Sequence, residues 1–96
     1  MKPFPPRPRF PMGRAVITPA AQEALDAIGI SGASLLARHI FGEWGNLSAE
    51  NLAANELALL IGQRLLSSYD LPDGETVWII TEADRSVTTI LLPSDY

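Results

Sequence analysis

The densest run of groups able to do chemistry is Thr81-Glu82-Ala83-Asp84-Arg85-Ser86-Val87-Thr88-Thr89, which holds two acids, one guanidinium and four hydroxyls in nine residues. Such a set could bind phosphate, orient a water, or pair Arg85 with a partner's carboxylate, because a planar guanidinium takes two oxygens at once. Glu82, Asp84, Arg85 and Thr88 are therefore binding candidates. The competing structural reading is a solvated turn in which Asp84 and Ser86 bond local backbone and Glu82 pairs weakly with Arg85. Two carboxylates are too few for a hard divalent cation, so no metal site is expected.

A second group centres on the single histidine, His39, four residues before Glu43 in the loop Gly42-Glu43-Trp44-Gly45-Asn46. An imidazole beside a carboxylate can do general acid–base work. A small hydrolase or nuclease-like enzyme would use His39, Glu43 and Asp84, with Glu82 and Arg85, if the fold brought the GEWGN loop to the TEADRS turn. Otherwise His39 is a boundary residue bonded to backbone. Trp44, bracketed by glycines, is either an interface anchor or a plug between helices. Asn51 and Asn55 stand four apart on one helix face. Asn51 can cap a helix start, but Asn55 is mid-helix and needs a polar partner if buried, which adds it to the binding candidates.

The sequence has no Walker A loop, GxGxxG, HExxH or GxSxG, and no cysteine. Thiolate metal sites, disulfides and the well-marked enzyme classes drop out, and no cofactor is expected. Charge is segregated: Lys2, Arg7, Arg9 and Arg14 fall in the first 14 residues, which carry no acid. From Ala15 to Tyr96 eleven acids face three bases, a formal charge of −8. Such a body is repelled by phosphate backbones, so duplex nucleic acid is an unfavourable partner and a protein partner is expected. No apolar run approaches a bilayer span and the start lacks a signal-peptide core, which predicts a cytoplasmic protein with no membrane partner.

These groups must be positioned by a chain of 96 residues, enough for one domain. Residues 1–14 include Pro3, Pro5, Pro6, Pro8 and Pro11 and are expected to form a flexible Pro/Arg-rich arm, leaving 15–96 as a single α+β domain. Within the arm, Arg7 and Arg9 are candidate contacts and Phe4 and Phe10 candidate anchors. Thr18-Pro19 opens a helix to Ile28, with Gly29 as its stop. A second helix from Ser31 or Gly32 closes near Gly42, and a third runs from Ser48 to about Ile61 with Ala53, Leu57, Leu60 and Ile61 as its stripe. Strands are expected at 64–69, 76–82 and 87–92, the first pair joined by Pro72-Asp73-Gly74. The predicted fold is two or three N-terminal helices packed on a C-terminal three-stranded antiparallel meander. Trp78 sits mid-strand among Val77, Ile79 and Ile80, so both faces of the meander need cover: helices on one, a partner or second copy on the other.

From His39 to Tyr96, through GEWGNL and QRLLSSYDLPDGETVWIITEADRSVTTILLPSDY, the chain resembles small bacterial proteins of plasmids and integrated mobile elements. These are labelled plasmid-related or as the M subunit of type I restriction enzymes. The methyltransferase label does not fit a chain without a cofactor-binding glycine motif. The resemblance implies a setting in mobile DNA, where inhibitors and regulators are common. With the acidic body, it leads to the expectation of a non-enzymatic binding or regulatory protein, an inhibitor or modulator of a host defence or nucleoprotein complex, and a possible homodimer.

Overall fold

The structure is a computed structural model that describes residues 7–96. Each helix starts where a hydroxyl can take an otherwise unpaired N–H. Thr18 accepts from the Ala21 N–H at 3.1 Å and Pro19 opens α1, Pro19–Ile28. Ser31 accepts from Ala33 at 3.1 Å ahead of α2, Gly32–Ile40, and Ser48 accepts from Asn51 at 3.1 Å ahead of α3, Ala49–Ile61. The three helices lie where the caps and stops predict.

The sheet differs from the expected meander. Arg14–Ile17 form β1, followed after the helices by β2, Leu65–Asp70; β3, Thr76–Thr81; and β4, Val87–Leu91. Their order is β1-β4-β3-β2, with β2, β3 and β4 antiparallel and β1 parallel to β4. The fold is thus α+β with a four-stranded mixed sheet. A four-residue strand is too short to show a period, and its partner lies some seventy residues away, paired Arg14 to Val87 and Ile17 to Ile90.

Residues expected as a free arm are docked over their described part. The Arg9 N–H donates to the Ile40 carbonyl at 2.7 Å, and Phe10 is only 6 % exposed. Proline density predicts extended backbone and says nothing of whether an interleaved Phe finds a pocket. Phe4 and the first prolines fall outside the described residues.

The helices cover one sheet face. Ala21 and Leu25 of α1 and Leu35 of α2 meet Tyr69, Val77, Ile79 and Ile90 in one cluster, while Phe10, Trp44, Ala58 and Leu65 form a second. On the other face the C-terminal turn Pro93–Asp95 brings Tyr96 edge-on to Trp78, with centroids 5.9 Å apart. Part of the cover expected from a partner is therefore supplied by the chain's own end. Trp78 is half-buried rather than locked in the core. Trp78→Ala should accordingly fold, with a loss of about 1–2 kcal/mol by urea denaturation.

The rotation of α3 also corrects the expected stripe. Asn55 and Ala58 are buried, whereas Leu57, Leu60 and Ile61 are 54 %, 83 % and 57 % exposed. A helix with apolar residues on most of its circumference has no periodicity to choose a face, and the choice falls to Asn55.

Candidate functional site

His39 of α2 is fully buried, and its surroundings form a directed chain of hydrogen bonds. Its Nδ1 lies 2.5 Å from Ser67 Oγ on β2 and its Nε2 2.9 Å from Thr81 Oγ1 on β3. Thr81 Oγ1 is 2.7 Å from Thr88 Oγ1 on β4, and the Thr88 hydroxyl donates to the Met12 carbonyl at 2.7 Å. A hydroxyl has one proton, so Thr88, having donated to Met12, must accept from Thr81. Thr81 must then accept from His39 Nε2–H, and Ser67 donates to Nδ1. The ring is a neutral Nε2–H tautomer, and burial lowers its pKa from 6.5 to about 4. Phe10 and Trp44 meet it edge-on at 5.2 and 5.6 Å. Ser67 resembles an activated nucleophile in position alone: it too is fully buried, and Thr81 stands where a carboxylate would orient the ring.

The other acid–base candidates are engaged elsewhere. Glu43 is exposed and accepts from Arg38 Nε at 2.9 Å, while its backbone carbonyl accepts the Tyr69 hydroxyl at 2.6 Å. Trp44 is 4 % exposed and stacks on Phe10 at 6.0 Å. Its Nε1–H donates at 3.0 Å to Glu56, whose carboxylate also takes both terminal nitrogens of Arg9, at 2.8 and 2.7 Å. The Arg9 bonds, then the Trp44 bond, lower the Glu56 pKa to about 2. Trp44 is a core plug with its one donor satisfied.

Asn55 closes a sheet edge. Its Nδ2 donates to the Leu66 carbonyl at 2.6 Å and its Oδ1 accepts the Leu66 N–H at 3.1 Å, replacing a neighbouring strand. Two residues along β2, Ser68 donates to the Trp44 carbonyl at 3.0 Å and accepts from the Asn46 N–H at 2.6 Å. Asp70 N–H then reaches Asn46 Oδ1 at 3.3 Å. The approach depends on Gly45, at φ +80, where a Cβ would collide with the Ser68 carbonyl. The outward N–H groups of Leu66, Ser68 and Asp70, and the carbonyls of Leu66 and Ser68, are all taken up.

The TEADRS turn is likewise self-contained. Asp84 Oδ1 accepts from both the N–H and the hydroxyl of Ser86, at 3.0 and 2.6 Å, and these bonds lower its pKa. Glu82 lies 3.7 Å from Arg64 across an exposed gap. Arg85 adopts φ +63, a left-handed conformation rare for a residue with a Cβ. Its guanidinium turns inward: NH1 donates to the carbonyls of Gln63, Glu82 and Ala83 at 2.6, 3.1 and 3.2 Å, and NH2 to Ala58 at 3.1 Å. Arg85 thus caps the C-terminus of α3, where a cation also meets the negative end of the helix dipole. Arg85→Ala should destabilise by about 1–3 kcal/mol, and Arg85→Gly by about 1 kcal/mol less because it relieves the backbone strain. Thermal midpoints of the two variants check this order.

Among the sequence candidates, Thr88 and His39 are joined through Thr81, and Trp44 packs on the same imidazole. Asp84 and Glu43 lie in no bond with that chain. Arg9 and Phe10, expected as contacts for a partner, instead bond Glu56 and pack on His39 within the chain, and Thr81, noticed only as part of the polar run, bonds the imidazole; Ser67 and Glu56 were missed. Among the described residues no group of three or more His, Asp or Glu is placed to hold a metal, and no helix is long and apolar enough to cross a membrane. No family model, curated protein or solved structure matches the chain.

Proposed function

We propose that the chain is a non-enzymatic binding and regulatory protein of bacterial mobile elements, which inhibits or modulates a host defence or nucleoprotein complex by covering a protein surface. The observation that carries the binding role is the outer face of α3, where Leu57, Leu60 and Ile61 stand in solvent beside Ala53 and Glu50. Large apolar side chains at helical spacing on a small acidic body suit a groove or second helix of a protein partner. The mobile-element setting rests on the resemblance of His39–Tyr96, and the acidic body favours a target whose own surface is basic. A hydrolase would need an imidazole that substrate can reach, and the buried His39 weighs against it.

Leu57→Glu and Leu60→Glu are expected to keep stability within about 0.5 kcal/mol, since they change exposed positions. They should weaken capture of the protein partner from host lysate at least tenfold. Glu82→Gln, on the turn, should leave capture unchanged. Sedimentation equilibrium of the isolated protein distinguishes a second copy from a foreign partner.

A further inference from the structure

The two edges of the sheet contrast sharply. Along β2, the outward N–H and C=O groups of Leu66 and Ser68 and the N–H of Asp70 are taken up by Asn55, the GEWGN loop and Asn46. At β1, Arg14 N–H donates to Ser86 and Thr18 N–H to Ile90, both at 2.9 Å. Strand alternation then turns the N–H and C=O groups of Ala15 and Ile17 away from β4. Among the described residues nothing pairs with them. Beside this open edge lies a cleft of about 480 Å³ between β1, α1 and the start of α2, lined by Ile17, Ile30, Ala33 and Leu36 and carrying one charged residue, Asp26.

We propose that the β1 edge and its cleft bind an extended peptide segment of a partner protein as a fifth strand. One large apolar side chain of the segment fills the cleft and a neighbouring Lys or Arg faces Asp26. The backbone groups of Ala15 and Ile17 supply the alternating donors and acceptors that only extended chain can match. A second copy's β1 is a poor occupant. On the cleft side it would present Ile17, already packed against its own core, and Ala15, too short to fill the space. The basic residue follows from Asp26, the one charged residue that lines the cleft. This site is separate from the face of α3, and either can fail without the other.

The test is selection from a displayed library of random octapeptides on the full-length protein. Wild type is expected to enrich segments carrying a large apolar residue beside Lys or Arg. Ala15→Pro deletes only an outward N–H, a place where edge strands tolerate proline, and should weaken those peptides at least tenfold. Asp26→Lys, at an exposed position of α1, should exchange the basic preference for an acidic one and serves if Ala15→Pro does not fold. The proposal is overturned if wild type enriches no peptide over a blank support. It is equally overturned if the enriched peptides bind Asp26→Lys and a folded Ala15→Pro as they bind wild type, or are displaced by Leu60→Glu alone.

Discussion

Phe10→Ala is expected to cost about 3–5 kcal/mol, a drop in thermal midpoint of at least about 12 °C for a domain of this size. The side chain is 6 % exposed, stacks on Trp44 at 6.0 Å and meets His39 edge-on at 5.2 Å. The Arg85 guanidinium lies 5.8 Å from its ring centre. Truncation leaves a cavity among groups fixed by other bonds: Trp44 by Glu56, His39 by Ser67 and Thr81, Arg85 by four carbonyls. None can move in without breaking one of these hydrogen bonds, which resists closure of the cavity. Deleting residues 1–13 should cost at least as much, because it also removes Arg9 from Glu56 and the Met12 carbonyl from Thr88. A midpoint shift below about 5 °C would mean that the segment is not docked.

The second large effect is a loss of stability on mild acidification. His39 has a folded pKa of about 4 against 6.5 unfolded, so between those values the unfolded chain binds the proton and the folded one does not. Stability should therefore be full above pH 6.5 and fall by about 3 kcal/mol as pH drops to 4, at about 1.4 kcal/mol per pH unit. The cause is burial: an imidazolium at this site, closed to solvent, loses its hydration, and Ser67, which donates to Nδ1, would have to turn its hydroxyl to accept. Carboxylates act lower. Glu56, held at about 2 by Arg9 and Trp44, retains its stabilising effect until pH falls below its unfolded value of 4.5. Urea midpoints measured from pH 7.5 to 4.5 should decline for wild type and stay flat for His39→Gln, which starts lower but has nothing to protonate. A flat wild-type profile would contradict the buried neutral imidazole.

Elements set by local signals were legible in the sequence. Thr18-Pro19, Ser31 and Ser48 open helices through their own side chains, and Pro72-Asp73-Gly74 turns the β2–β3 hairpin. Features set by distant contacts were not. The parallel pairing of β1 with β4 and the docking of Phe10 depend on residues thirty to seventy positions away. The face chosen by α3 followed neither its leucines nor its mean hydropathy but one amide pair between Asn55 and Leu66. The same cause separates the candidate residues from a site. Asn55, Trp44, Arg85 and Thr88 drew notice because their polarity or bulk needed a partner, and the chain itself supplies that partner in each case. A sequence shows that a polar group must be satisfied; only the fold shows by whom.

The proposed binding role places the partner on the outer face of α3 and leaves the TEADRS turn to the fold. Site-specific photo-crosslinking in the native host tests it most directly, with a benzophenone side chain placed at Leu60 in one sample and at Asp84 in another. Both positions are exposed, so neither probe disturbs the core. A discrete protein adduct is expected from position 60 and none from position 84. An adduct from position 84 with none from position 60 would contradict that placement and return the turn to the centre of function.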